Sequence, residues 1–217
     1  VRLPVDPGEV AAAKLDLLRP STMRGDSMAT ITYPLETERL LIRPNVDEDL
    51  DAVYSFQSRD DVTRYIPWYS RSREEVRQAL EARKLMTDLQ KDDDALVLAV
   101  TERESGALIG EIYLFLKSTE HRQGEIGYII HPDSSGRGYA TEAARAALRL
   151  GFEQFGMHRI VARCDARNEP SWRVMEKLGM RREAHLRENE RFKGEWSDEI
   201  IYAMLDREWE ALNRASA

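Results

Sequence analysis

Apolar positions recur along this chain with two different periods. From Ala140 they fall at Ala140, Ala143, Ala144, Ala147, Leu148, Gly151, Phe152 and Phe155, spaced by three and four. That spacing predicts a helix with one apolar face. Just before it, the run Gly127-Tyr128-Ile129-Ile130 closes an extended segment from Glu125 to His131. Further strands are predicted over Arg39–Arg43, Ala95–Thr101, Ala107–Leu116 and Arg159–Asp165. Two more, Arg181–Phe192 and Trp196–Leu205, form a hairpin turning at Lys193-Gly194. Leu50, Val53 and Phe56 carry an early helix, Asp60–Tyr65 a shorter one. Ser72 with Glu75 makes a capping box for a helix running to about Leu89. A last short helix starts at Asp206. The first half is therefore a strand meander with helices before it, and the second half alternates strand and helix. This pattern predicts one mixed, partly parallel α/β sheet, without internal repeats.

Between the strand ending at His131 and the helix starting near Ala140 lies a tight polar loop with Gly136 and Gly138. Strand, glycine loop and helix together suit a phosphate group. Glycine lets backbone approach a bulky anion, and the first helical turn offers unpaired N–H groups. The loop is not a nucleoside-triphosphatase P-loop, since G-x-x-x-x-G-K-[ST] is absent. Nor is it G-x-G-x-x-G, since Thr141 stands at the third glycine. Taken alone, a plain turn fits it equally well.

The next stretch adds the decisive pattern. PDSSGRGYATEA (Pro132–Ala143) is followed by NEPSWRVMEKLGM (Asn168–Met180). With TERLLIRP (Thr37–Pro44), GEIGYIIHPD (Glu125–Asp133) and KGEWSDEIIYAMLDREW (Lys193–Trp209), these motifs resemble the GNAT superfamily of acyl-CoA-dependent N-acyltransferases. Within it they look most like the RimJ/RimL-type protein N-terminal acetyltransferases. The resemblance implies an α/β (α+β) GNAT fold: one mixed, mostly antiparallel twisted sheet with helices on both faces. Its fourth and fifth strands splay apart to hold acyl-CoA. It also implies acetyl-CoA as cosubstrate, no metal, and direct attack by an amine in a ternary complex. The leading acceptor is a protein or peptide N-terminal α-amine. The runner-up is a small amine such as a polyamine or an aminoglycoside. A silent acyl-CoA-binding module is the alternative of another class. The acceptor walls would be Asp60–Ser70, with the aromatic Ile66-Pro67-Trp68-Tyr69, and the Arg187–Trp196 hairpin. Homodimers are common among such proteins, which makes one an expectation here.

The resemblance assigns roles residue by residue. The loop Ser135, Gly136, Arg137, Gly138, Tyr139, Ala140 and Thr141 would hold the CoA pyrophosphate through backbone N–H groups, with Arg137 adding charge. Ser135 stands where the family has Gln or Arg, so one usual contact is missing. A backbone N–H near Tyr128, Ile129 or Ile130 would bond the thioester oxygen. Glu125 is the first candidate base, against a strand-end glutamate in a salt bridge. Glu111 is the second, and His131 and His185 are further titratable groups. Met175 replaces the tyrosine that many relatives use to protonate the leaving thiolate. Ser171 is the candidate for that task, against a helix N-cap. Asn168 would bond the pantetheine or acetyl end, against a turn residue. Lys177 would approach the CoA phosphates or merely finish its helix. Cys164, among Ile160 and Ala162, reads as a buried small residue, and Gly179 as a helix C-cap.

Composition narrows the setting. A net charge of −7 disfavours nucleic acid as a partner. No apolar run approaches the ~20 residues that span a bilayer. The single cysteine leaves no internal disulfide, and a cytoplasmic setting is expected. Val1 to roughly Ala29 does not match the family. It is expected to be an extension, mobile or accessory, preceding a catalytic domain over residues 30–217.

Overall fold

The computed structural model describes residues 31–215, so the expected extension over residues 1–29 lies outside the described residues. Eight strands form one sheet: β1 (Leu35–Glu36), β2 (Leu40–Pro44), β3 (Ala95–Glu102), β4 (Leu108–Ser118), β5 (Gln123–Ile130), β6 (Arg159–Asp165), β7 (Arg181–Phe192) and β8 (Glu195–Leu205). Their order is β1-β2-β3-β4-β5-β6-β8-β7. Only β5 and β6 pair in parallel; every other neighbouring pair is antiparallel. The helices are α1 (Leu50–Gln57), α2 (Asp60–Thr63), α3 (Arg73–Arg83), α4 (Tyr139–Arg149), α5 (Glu169–Lys177) and α6 (Asp206–Ala215). One face of the sheet carries Val97, Tyr113, Phe115 and Ile129 against Val53, Phe56 and Val76 of α1 and α3. The other carries Leu98, Ile112, Ile126 and Ile160 against Ala143, Ala147, Met175 and Trp209 of α4, α5 and α6.

Local chemistry explains most boundaries. Ser72 and Glu75 make both bonds of the capping box that starts α3. After α5, Gly179 has φ of 84°, its N–H bonds Glu176 O at 2.9 Å, and Met180 N–H bonds Met175 O at 3.1 Å. That pair of bonds is a Schellman stop, which needs the left-handed residue that glycine supplies. Three expectations need correction. β1, two residues long, was too short to leave a pattern. α3 ends at Arg83 rather than about Leu89, because the chain then peels onto the sheet: Met86 O accepts from Val97 N–H at 3.0 Å, and Leu89 buries in the opposite core. The helix after the glycine loop stops being α at Arg149, and Leu150–Gln154 form a π turn closed by Phe155 N–H on Leu150 O. Gly151 lies in it, and a Cβ there would meet Ile160 Cδ1 at 2.6 Å, so a side chain would have to displace that methyl of β6.

The parallel register between β5 and β6 runs only from Gln123↔Arg159 to Glu125↔Val161. β5 continues to Ile130 and β6 to Asp165 without pairing, so the strands part. This is the splay expected of the fourth and fifth strands, renumbered because β1 precedes them.

One buried ionic cluster ties α1 and α3 to the sheet. Glu111 on β4 accepts from Arg83 Nη1 at 2.8 Å, Gln57 Nε2 at 2.7 Å and the Tyr113 hydroxyl at 2.7 Å. Both side chains of the ion pair are fully buried. Removing one partner would leave an uncompensated charge in low dielectric. Glu111→Gln is therefore expected to lower unfolding free energy by roughly 3 kcal/mol in urea denaturation. A change below about 1 kcal/mol would show that the cluster contributes little.

Candidate active site

Two clefts flank the splayed strands. The first, about 640 Å³, lies between the end of β5, the glycine loop, and the starts of α4 and α5. It is lined by Tyr128, Ile129, Ile130, Ser135, Gly136, Gly138, Tyr139, Ala140, Thr141, Asn168, Ser171 and Lys177. The structure thus gathers into one cleft all the residues expected at the cofactor except Arg137. Gly136 and Gly138 have φ of 76° and 85°, a backbone that side chains rarely adopt. Glu142 is the first residue here whose N–H reaches a helical acceptor, Gly138 O at 3.1 Å. Among the described residues, the amides from Gly136 to Thr141 have no acceptor, and they gather at the positive end of α4.

Arg137 turns away from this cleft. Its guanidinium pairs with Glu102 at 3.3 Å and lies over the Tyr139 ring. Its carbonyl accepts from Arg39 Nη1 at 3.0 Å, and Arg39 Nε in turn bonds Glu142 at 2.7 Å. Arg39, which sequence reasoning did not single out, thereby pins the loop to α4. Its only sequence signal was its place in the opening TERLLIRP motif.

His131 N–H bonds Ile109 O on β4 at 2.7 Å. Backbone groups alternate sides along a strand. The amides of Tyr128 and Ile130 therefore face the gap where β6 has departed. Asn168, with its carbonyl accepting from Ser171 N–H, is the N-cap of α5, though its side chain makes no cap bond. Ser171 is thus not the cap. It sits within the first turn, buried, with its hydroxyl 3.3 Å from the Tyr128 hydroxyl, which donates to Ser171 O at 2.7 Å. Burial pushes the Tyr128 phenol well above its ordinary range. A phenol does stand at this point, then, but it comes from β5 rather than from the position of Met175, which is core.

The second cleft, about 580 Å³, lies at the other end of the gap between the loop holding Pro67 and Tyr69 and the β7–β8 hairpin. Glu125 and Arg163 form part of its wall, with Lys117, Glu199 and residues 189–193. The Glu125 side chain is 3% exposed. Among the described residues its Oε1 has no partner, and its Oε2 lies 3.6 Å from Arg163 Nε. Burial pushes its carboxyl up to about 7, while Arg163 and Lys117 pull it back and Glu199 adds to the rise. Glu125 and Tyr128 are three residues apart on one strand, about 10 Å. A buried carboxylate and free strand amides thus address the same gap from two sides.

The family description Acetyltransferase (GNAT) domain matches residues 39–181. The chain belongs to the GNAT acetyltransferase family. It is 39% identical over 175 residues to the uncharacterised N-acetyltransferase YnaD of Bacillus subtilis, covering 81% of this chain and 98% of that one. A crystal structure of a GNAT-family acetyltransferase from Bacillus anthracis is similar at 36% identity with a TM-score of 0.73, over 80% of this chain and 98% of the other. Spermidine N(1)-acetyltransferase of Escherichia coli is 27% identical over 77% of this chain and 87% of its own length.

The remaining candidates of this acetyltransferase fall outside the two clefts. Glu111 is enclosed by Arg83, Gln57 and Tyr113, so no acceptor amine reaches it. His131 Nδ1 accepts from Asp133 N–H at 3.1 Å and its ring abuts Phe56. His185 pairs with Asp198 at 2.8 Å on exposed β7. Cys164 is buried, which lifts its thiol to about 11, so it is no nucleophile. Arg163 is a residue the sequence reading passed over. Only its place two residues beyond the last β5–β6 rung marks it.

Glu125 binds its proton more tightly in the folded chain than at its ordinary value of 4.5. Its ionisation therefore subtracts stability progressively from the ordinary glutamate range up through about pH 7. Glu125→Gln is expected to raise the melting temperature at pH 8 but not at pH 4. Carbon-13 NMR of the side-chain carboxyls should show one titration near pH 7, moving higher in Arg163→Gln. Titration of every glutamate near pH 4 would contradict the burial.

Proposed function

We propose that this acetyltransferase moves the acetyl group of acetyl-CoA to the N-terminal α-amine of a peptide or protein, as RimJ/RimL-type enzymes do. The observation that carries the reading is the buried Glu125 carboxyl, poised at about 7 in the second cleft. A base works best when its pKa lies near the working pH. A chain-terminal amine, at about 8, needs only modest help from such a base near neutral pH, whereas a lysine or polyamine nitrogen near 10.4 needs more. The cleft also lacks the acidic excess that a polycation would call for. Glu125, Glu190 and Glu199 are balanced by Lys117, Arg163, Arg191 and Lys193.

The roles follow from position. The free amides of Gly136 to Thr141 hold the pyrophosphate, and Lys177 at the end of α5 adds charge within the same cleft. Asn168, at the head of α5, bonds the pantetheine arm. The amide of Tyr128 or Ile130 receives the thioester oxygen, fixed in place before negative charge develops. Glu125 takes the proton from the incoming ammonium, directly or through one water, and the freed amine attacks the carbonyl carbon. As the carbon–sulfur bond breaks, the nitrogen of the tetrahedral adduct gives up its second proton, and the Ser171 hydroxyl, beside the Tyr128 hydroxyl, relays a proton to the departing thiolate and ends neutral. Arg163 keeps the carboxylate turned toward the cleft.

The relative named for spermidine favours a second reading, a small polyamine as acceptor. One experiment separates them: acetyl-CoA with peptides of varied N-termini, the same peptides with blocked N-termini and free lysine, and spermidine, read by mass spectrometry. Acetyl on free N-termini alone is the expected result, and acetyl on spermidine alone would overturn it. With the accepted substrate, kcat/KM should rise with pH through about 7, because Glu125 must be ionised to act. Glu125→Gln should remove that limb and lower kcat/KM about a hundredfold. Ser171→Ala should lower kcat about tenfold with little change in the KM for acetyl-CoA.

A further inference from the structure

The β7–β8 hairpin turns on Lys193 and Gly194, whose φ angles are 50° and 89°, with Phe192 paired to Glu195 across them. A two-residue turn with both centres left-handed favours Asn-Gly or Asp-Gly. Lysine is disfavoured there, and its ammonium is what the position uses. Lys193 Nζ donates to Thr63 O and to Trp68 O, each at 2.7 Å. Thr63 is the last residue of α2, and Trp68 belongs to the aromatic loop that follows. The same nitrogen lies 4.7 Å from the Tyr69 ring centre and 5.7 Å from that of Phe192. Burial lowers its pKa, though Asp60 opposes this. An ammonium between main-chain carbonyls and aromatic faces makes charge-assisted bonds that a neutral side chain does not replace.

These partners are 130 and 125 residues away in the chain, and both sides line the second cleft. Pro67 and Tyr69 form one wall, and Asn189 to Lys193 the other, with Glu125 lying apart from both on β5. Only the amine itself needs to reach Glu125. Residues that follow the amine would meet Tyr69 and the hairpin.

We propose that Lys193 is a specificity-determining strap: by bonding the aromatic loop to the hairpin tip it fixes the width of the acceptor cleft, so that the enzyme grips several residues of an extended chain end and prefers it to a small free amine. This rests on reading the second cleft as the acceptor site of an N-terminal acetyltransferase.

The test compares the wild type with Lys193→Met and Lys193→Arg. Acceptors share one N-terminal residue, presented as its amide, a dipeptide, a tetrapeptide and a hexapeptide, with spermidine alongside. Methionine at a left-handed position is no more strained than lysine, so the backbone is not newly burdened. For the wild type, kcat/KM should rise with acceptor length. Lys193→Met should flatten that rise, with hexapeptide KM up about tenfold for the loss of one charge-assisted anchor. The KM for acetyl-CoA should stay put, and Lys193→Arg, which keeps a cation, should recover part of the preference. If Lys193→Met keeps the wild-type length dependence while peptides are still acetylated, the strap is wrong and the N-terminal reading stands. If it weakens turnover of the amide, the peptides and spermidine all alike, Lys193 is only structural and the strap is again overturned. If the wild type acetylates none of the peptides, the acceptor reading falls and takes the strap with it.

Discussion

Three rungs of parallel pairing, from Gln123↔Arg159 to Glu125↔Val161, join β5 to β6, and the rest of the site follows from their stopping there. A strand inside a sheet normally spends both edges on its neighbours. Beyond Glu125, β5 spends one edge on β4 and leaves the other open. Buried main-chain groups do not stay unpaired without cost, so an open edge within a sheet is ground for a polar ligand. The packing enforces the parting. Gly151 lets Ile160 press against the π turn, which seats the start of β6, while α5 follows the far end of β6 and places Ser171 against Tyr128. The gap is thus held by packing at both ends rather than by a flexible loop.

The same parting divides the chemistry between two environments. The first cleft offers fixed N–H groups at a helix start, suited to an anion. The second offers a nearly buried carboxyl with one oxygen unpartnered. An anion beside Glu125 would raise its proton affinity further. Several residues of one strand keep them apart while aiming both at the same opening. Arg163 on β6, 3.6 Å away, draws the carboxyl's pKa down against the larger rise that burial causes.

Much of this was legible in the sequence because it is written locally. The apolar stripe of α4, the glycines of its loop, the capping box at Ser72 and the Schellman stop at Gly179 each depend on residues within a turn or two of one another. The strand meander and the hairpin turn at Lys193-Gly194 were readable for the same reason. What was not legible depends on side-chain direction across the fold. Arg137 had the right charge in the right loop, but Glu102 on β3 offers it a partner and turns it aside. Ser171 could be read as a proton donor or as a helix cap until Asn168 proved to hold the cap position. Glu111 and Glu125 are similar glutamates on adjacent strands. Only the packing of α1 and α3 shows that one is bound up in a buried cluster and the other opens on a cleft. β1 and the π turn were missed because two paired residues and a single widened turn leave no periodicity.

Arg39 and Lys193 carry this last point furthest. Each uses a cation to fix main-chain carbonyls of a distant segment: Arg137 O for one, Thr63 O and Trp68 O for the other. Loops that bind ligands must keep some polar groups free for them, and so are short of internal partners to hold their own shape. A long basic side chain reaching in from a sheet edge or hairpin solves this, because it bonds carbonyls and leaves the N–H groups available. Both clefts are shaped this way, the first through Arg39 under the glycine loop and the second through Lys193 at the aromatic loop. The scaffold therefore shapes both clefts through side chains that spacing alone does not mark.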